Sequence, residues 1–132
     1  MKKVVLAFAL VLLTAAVGFA AQPSAAQKAE DALALKGFDP VMLIKGKEVK
    51  GDEKLTLNRG GFKYLFSSTE NKALFEKEPK KYEIQLGGTC AVVPTVDGDP
   101  ELFVVYKERI YIFASPHCVE QFKAKPDDFV KN

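Results

Sequence analysis

The chain has 132 residues, 48% of them hydrophobic and 27% charged, which is enough for one compact domain and too few for two. Its 19 Lys and Arg stand against 17 Asp and Glu, and two of the lysines, Lys2 and Lys3, fall in a segment predicted to be removed; the mature chain is then neutral and lacks the basic footprint of a nucleic-acid binder. A single His (His117), two Cys (Cys90 and Cys118) and no Trp exclude a His-rich metal site and a dense disulfide scaffold, and no enzyme-like constellation of nucleophile and base is present.

Met1-Lys2-Lys3 is a short positive start. Val4 to Ala16 is an apolar run broken by Thr14, and Gly18-Phe19-Ala20 supplies small side chains at the cleavage subsites. This layout predicts a signal peptide over residues 1–20, cut after Ala20. The apolar run is shorter than the ~20 residues that span a bilayer, so no stable membrane span is expected after cleavage. The expected location is therefore a bacterial periplasm or the medium, where thiols can oxidise.

Residues 21–34 read as a polar, Ala-rich tail. Ser24 with Gln27 can cap a short helix that runs to about Leu35 and ends at Gly37. The domain proper spans residues 35–132. Asp39-Pro40 demands an extended or turn conformation. Val41 to Ile44 then reads as a short strand. Lys45 to Lys54, where lysines alternate with Glu48, Asp52 and Glu53, reads as a solvated loop. Leu55-Thr56-Leu57, a turn over Asn58 to Gly61, and Phe62 to Phe66 predict a hairpin, with Phe62, Tyr64 and Phe66 on one face. Ser67-Ser68 caps a helix over Thr69–Glu78 with Leu74 and Phe75 as its apolar stripe, and Pro79 stops it.

The pattern returns 47 residues on. Leu102 and Val104 fall on Leu55 and Leu57, and Tyr111-Ile112-Phe113 on Tyr64-Leu65-Phe66. Ser115 falls on Ser68, Phe122 on Phe75, Pro126 on Pro79 and Phe129 on Tyr82. The expected fold is α+β: a small single domain of two pseudo-repeated β-hairpin–helix units, about residues 37–84 and 87–131, around a shared core. Leu102 to Tyr106 is apolar on both faces and predicts a central strand. Asp97-Gly98-Asp99-Pro100 lacks the further oxygens of a calcium loop and reads as a plain turn.

The two units differ at the start of the second helix, Ser115-Pro116-His117-Cys118. Ser115 is a good N-cap and Pro116 a good first residue, which puts His117 and Cys118 in the first turn. Unpaired N–H groups and the helix dipole there favour a thiolate, the form that binds metals. The first unit has Asn71 at this place. Cys90 sits in the glycine-rich Gly87-Gly88-Thr89-Cys90-Ala91. With Cys118 and His117 it would make a soft site for Cu(I) or Zn(II). Two cysteines 28 residues apart admit three readings: a shared metal site, a structural disulfide contributing ~3 kcal/mol, or two unrelated buried thiols. A redox role for Cys118 lacks a CxxC partner.

Gly37-Phe38-Asp39-Pro40-Val41, Phe66-Ser67-Ser68-Thr69-Glu70-Asn71, and Phe75 with Pro79 and Tyr82 resemble the YHS domain family. Gly87 to Ala91 resembles a segment of its secreted bacterial members. Tyr111 to Phe129 is similar to the related TRASH-type pattern, in which a Cys-bearing helix start follows a strand. The resemblance covers about residues 35 to 130. It implies a small α+β fold and, for many members, heavy-metal binding or sensing in transport and resistance systems. Metal-binding members carry Cys after Asp-Pro-Val, where this chain has Met42, and in the first helix turn, where it has Asn71. The first unit is therefore expected to hold no metal, with Met42 as core filler.

The combined expectation is a non-enzymatic, periplasmic or secreted soft-metal-binding protein. Cys90, Cys118 and His117 are its ligands, copper or another heavy metal its cargo, and a periplasmic or membrane metal transporter its partner. The alternative is a disulfide-stabilised interaction module without metal.

Overall fold

A computed structural model describes residues 30–131. The expected signal peptide and the tail up to residue 29 lie outside the described residues. In chain order the elements are β1 (Ala32–Leu33), a 3-10 turn (Ala34–Gly37), α1 (Pro40–Ile44), β2 (Asp52–Arg59) and β3 (Phe62–Phe66). Then come α2 (Thr69–Lys77), α3 (Pro79–Tyr82), a second 3-10 turn (Leu86–Gly88), β4 (Asp99–Tyr106), β5 (Arg109–Phe113), α4 (Pro116–Ala124) and a last 3-10 turn (Pro126–Asp128). The domain is α+β, with two small sheets. β3 is flanked by β1, parallel, and β2, antiparallel; β4 and β5 pair antiparallel in the second sheet.

Several segments depart from the sequence expectation, each for a traceable reason. Of the helix expected to reach Leu35, the part within the described residues is instead β1 followed by a 3-10 turn, in which Leu35 and Lys36 take φ of 57° and 55°. Ala32 and Leu33 find partners on the free edge of β3, opposite Phe62 and Lys63. Val41 to Ile44 belongs to helix α1, not a strand. Asp39 is its N-cap, accepting from the N–H groups of Val41 and Met42 at 2.8 and 3.2 Å, and Pro40 is its first residue. That capping geometry outweighs the strand preference of branched side chains. Asp52 to Lys54, read as loop, extends β2 beyond a bulge between Asp52 and Thr56. The run Asp97 to Pro100 is strand entry, since Asp97 bridges Thr89 and β4 starts at Asp99.

The stretch Leu102 to Tyr106 is also not a central strand, because β4 pairs with β5 alone among the described residues. Its two apolar faces have another cause: the two-stranded sheet is the middle layer. Phe103, Val105, Ile110 and Ile112 face a first core that includes Leu35, Val41, Tyr64, Phe66 and Phe75. Leu102, Val104, Tyr106, Tyr111 and Phe113 face a second, which holds Phe122 and both cysteines. Alternation along each strand splits its side chains between the two.

One helix phenylalanine centres each core. Phe75 of α2 meets Tyr64 and Phe66 at 4.8 and 5.4 Å between ring centres. Phe122 of α4 meets Phe113, Tyr111 and Tyr106 at 5.0, 5.6 and 5.7 Å. Such pairs contribute ~0.5–1.5 kcal/mol each beyond their buried area. Gly51 and Gly98 let the chain entering β2 and β4 press against β3 and β5. A Cβ on Gly51 would lie 2.4 Å from the Leu65 carbonyl carbon, and one on Gly98 2.5 Å from the Ile112 side chain. No helix of the described residues is long and apolar enough to cross a membrane.

Candidate dithiol site

Cys118 stands in the first turn of α4, where the sequence put it. The Ser115 hydroxyl caps the helix by accepting from the Cys118 N–H at 3.3 Å, and it donates to Cys118 Sγ at 3.4 Å. One hydroxyl thus fixes both the helix start and the sulfur. Pro116, at the first helical position, has no N–H to leave unpaired.

Cys90 arrives from a different direction. It follows the turn Leu86–Gly88 and bridges Ile112 of β5 in parallel, with the Ala91 N–H donating to Ile112 O at 3.0 Å. The chain then doubles back: Cys90 N–H donates to Val96 O at 2.9 Å, and Val96 N–H to Val93 O at 3.1 Å. This loop brings the Val93 N–H to Cys90 Sγ at 3.4 Å. Cys90 is fully buried, Cys118 is 8% exposed, and both sulfurs are free thiols.

Burial pushes the Cys90 thiol up. Hydrogen bonds from the backbone N–H groups of Ala114, Val93 and Val92, and one from the Cys118 side chain, together outweigh it, and the thiol titrates below its ordinary value. Cys90 and Cys118 belong to one buried cluster, with Ala91, Tyr111, Phe113, Phe122 and Val130.

His117 is not part of this cluster. It precedes Cys118 on α4 and is exposed, because consecutive helical residues point ~100° apart and Cys118 takes the inward direction. Among the described residues, no group of three or more His, Cys, Asp or Glu is placed to hold a metal ion together. Met42 is half-buried on α1. A surface groove of about 620 Å³ lies elsewhere and is lined by Lys77, Lys80, Lys81, Lys107 and Arg109 with two glutamates.

One buried polar hub escaped the sequence reading. Asp39 is fully buried, and its carboxylate accepts from five donors. Besides the N–H groups of Val41 and Met42, these are the Ser67 N–H at 2.8 Å, the Ser67 hydroxyl at 2.7 Å and the Asn71 side-chain amide at 2.8 Å. The hub joins α1 to the end of β3 and the start of α2. Asp39-Pro40 carries the signal, an N-cap followed by a first-position proline, which the expected extended or turn conformation leaves out.

Comparison with known protein families, curated proteins and solved structures found no match to this chain.

Proposed function

We propose that the chain is an exported binding protein, not an enzyme, that holds a soft metal ion such as copper between Cys90 and Cys118 for trafficking or tolerance. One observation carries the reading: the two thiols, 28 residues apart in sequence, are buried in the same apolar core. Thiolate donors select soft ions, and the amide N–H groups around Cys90 favour the anionic sulfur that binds them. The signal-like start and the resemblance to the YHS family point the same way, toward metal handling outside the cytoplasm. An ion shared by two sulfurs near a helix start is held in a form that can be passed on, and a metal transporter of the cell envelope is the recipient that fits. His117 is left out of the ligand set.

Two cysteines in one core also suit the alternative, a disulfide-stabilised interaction module. Two measurements decide. Free thiols are counted on protein isolated from the periplasm without reductant; two per chain support the metal reading, and none supports the disulfide. The reduced protein is then titrated with Cu(I) against a competing chelator. Affinity unchanged in Cys118→Ser refutes the metal site.

A further inference from the structure

Around Cys90 the backbone makes several of the contacts it makes around Asp39. Leu35 and Leu86 take φ of 57° and 58°. Gly51 N–H donates to Gly37 O at 2.8 Å, and Gly98 N–H to Gly88 O at 2.9 Å. Asp39 N–H bonds Val49 O at 2.8 Å, and Cys90 N–H bonds Val96 O at 2.9 Å. Phe38 bridges Lys50, and Thr89 bridges Asp97. Downstream, Ser68 and Ser115 cap α2 and α4 with φ of −151° and −154°.

The side chains follow the backbone. Asp39 accepts from the N–H groups two and three residues on, from Ser67 N–H just before the cap residue, and from Asn71, three residues after it. Cys90 Sγ accepts from the Val93 N–H, three residues on, at 3.4 Å, and Cys118, three residues after the cap residue Ser115, stands where Asn71 does. The first arrangement is closed, with two oxygens satisfied by five donors. In the second, one sulfur replaces the carboxylate and another replaces the amide. Protein donors stand behind each sulfur: amides behind Cys90, and the Ser115 hydroxyl behind Cys118. Asp39 and Asn71, at the matching places of the first arrangement, touch at 2.8 Å, and the two cysteines share one buried cluster. Neighbouring Ala91, Phe113, Phe122 and Val130 carry no metal ligand.

Resting on the metal reading above, we propose that this dithiol takes a single soft monovalent cation, copper(I) or silver(I), in linear two-sulfur coordination and discriminates against zinc(II). Zinc requires four ligands in a tetrahedron, and an apolar pocket with two sulfurs leaves two positions without partners. A closed-shell monovalent ion is satisfied by two thiolates. As it enters, it bonds both sulfurs, and the protons they held leave to solvent. No electron is transferred.

The test uses the reduced full-length chain, loaded in turn with silver(I), copper(I) and zinc(II), with native mass spectrometry for stoichiometry and X-ray absorption for the ligand shell. One silver(I) per chain is expected, with two sulfur neighbours and no nitrogen, and zinc should bind at least roughly a hundredfold more weakly. His117→Ala should bind silver as the parent does. Cys118→Ser, which keeps a small hydrogen-bonding side chain at the start of α4, is the folded control and should bind none. A third ligand in the shell, loss of affinity in His117→Ala, or zinc bound as tightly as silver overturns the linear site while leaving a metal function standing. A parent chain that is folded by circular dichroism and takes up no silver overturns the metal reading itself.

Discussion

Asp39→Asn keeps the shape of the side chain and exchanges one acceptor for a donor. With the amide nitrogen in place of the oxygen that faces Ser67 and Asn71, it meets the Ser67 N–H, the Ser67 hydroxyl and the Asn71 amide. The hydroxyl can rotate to accept, and the Asn71 amide keeps its bond to Ser67 Oγ at 3.3 Å; the Ser67 N–H and the Asn71 N–H aimed at residue 39 lose their acceptor. Turned the other way, the amide abandons the N–H groups of Val41 and Met42, and α1 loses its cap. Either way two donors lose their acceptor at a fully buried site, at ~1–3 kcal/mol each. The expected loss is about 3–5 kcal/mol, a large part of the ~5–15 kcal/mol typical of a whole domain. Urea unfolding followed by far-ultraviolet circular dichroism and tyrosine emission reads it, as the chain has no Trp. Ser67→Ala removes one donor of the five and should cost only ~1 kcal/mol, and less again in the Asp39→Asn background. A loss below ~1 kcal/mol for Asp39→Asn would refute the hub as a stabilising element.

Alkaline pH probes another buried group. The Tyr64 hydroxyl accepts from the Ile84 N–H at 2.9 Å, and burial pushes its pKa up to about 12 from 10.0. The folded value lies above the unfolded one, so the stability is fully present below pH 10.0 and is lost as pH rises toward about 12, by roughly 2–3 kcal/mol. Urea midpoints across that range should fall and should fall less in Tyr64→Phe; identical slopes would contradict the assignment. The β4–β5 turn places Lys107 and Glu108 at φ of 47° and 59°, where the β2–β3 turn has Gly60 and Gly61. Glu108→Gly should therefore raise stability by ~0.5–1 kcal/mol, and a lowered thermal midpoint would count against turn strain. Gly51→Ala drives a Cβ into the Leu65 backbone and should cost ~3 kcal/mol or more, whereas Gly98→Ala meets the Ile112 side chain first, at Cγ1 and Cδ1, and should cost ~2 kcal/mol. Equal losses in the two variants would show that backbone clearance is not what separates them.

Elements governed by one short-range interaction were legible in advance. The caps Ser68 and Ser115 and the stops Pro79 and Pro126 act within a few residues, and the alternation of Phe62 to Phe66 has period two; helices and strands stand there. Where local preferences competed, the reading failed. Val41 to Ile44 favours a strand by composition, but its cap is completed by a carboxylate that Ser67 and Asn71, far along the chain, hold in place. Ala32 and Leu33 are a strand because β3 offers them an edge.

The site divides in the same way. That Cys118 would lie in a helical first turn followed from Ser115 and Pro116. Whether Cys118 or His117 would face inward depended on which direction the second core lay, and that core is assembled by β4, β5 and α4 packing together. That Cys90 would share a core with Cys118 depended on its bridge to Ile112, a pairing between distant segments that carries no local mark. Capping and periodicity act over about one turn and are therefore readable in the residues themselves. The burial of two cysteines in one core is set by how α4 and the Cys90 segment pack on β4 and β5, a sum of many weak contacts between remote side chains that exists only once the chain has folded.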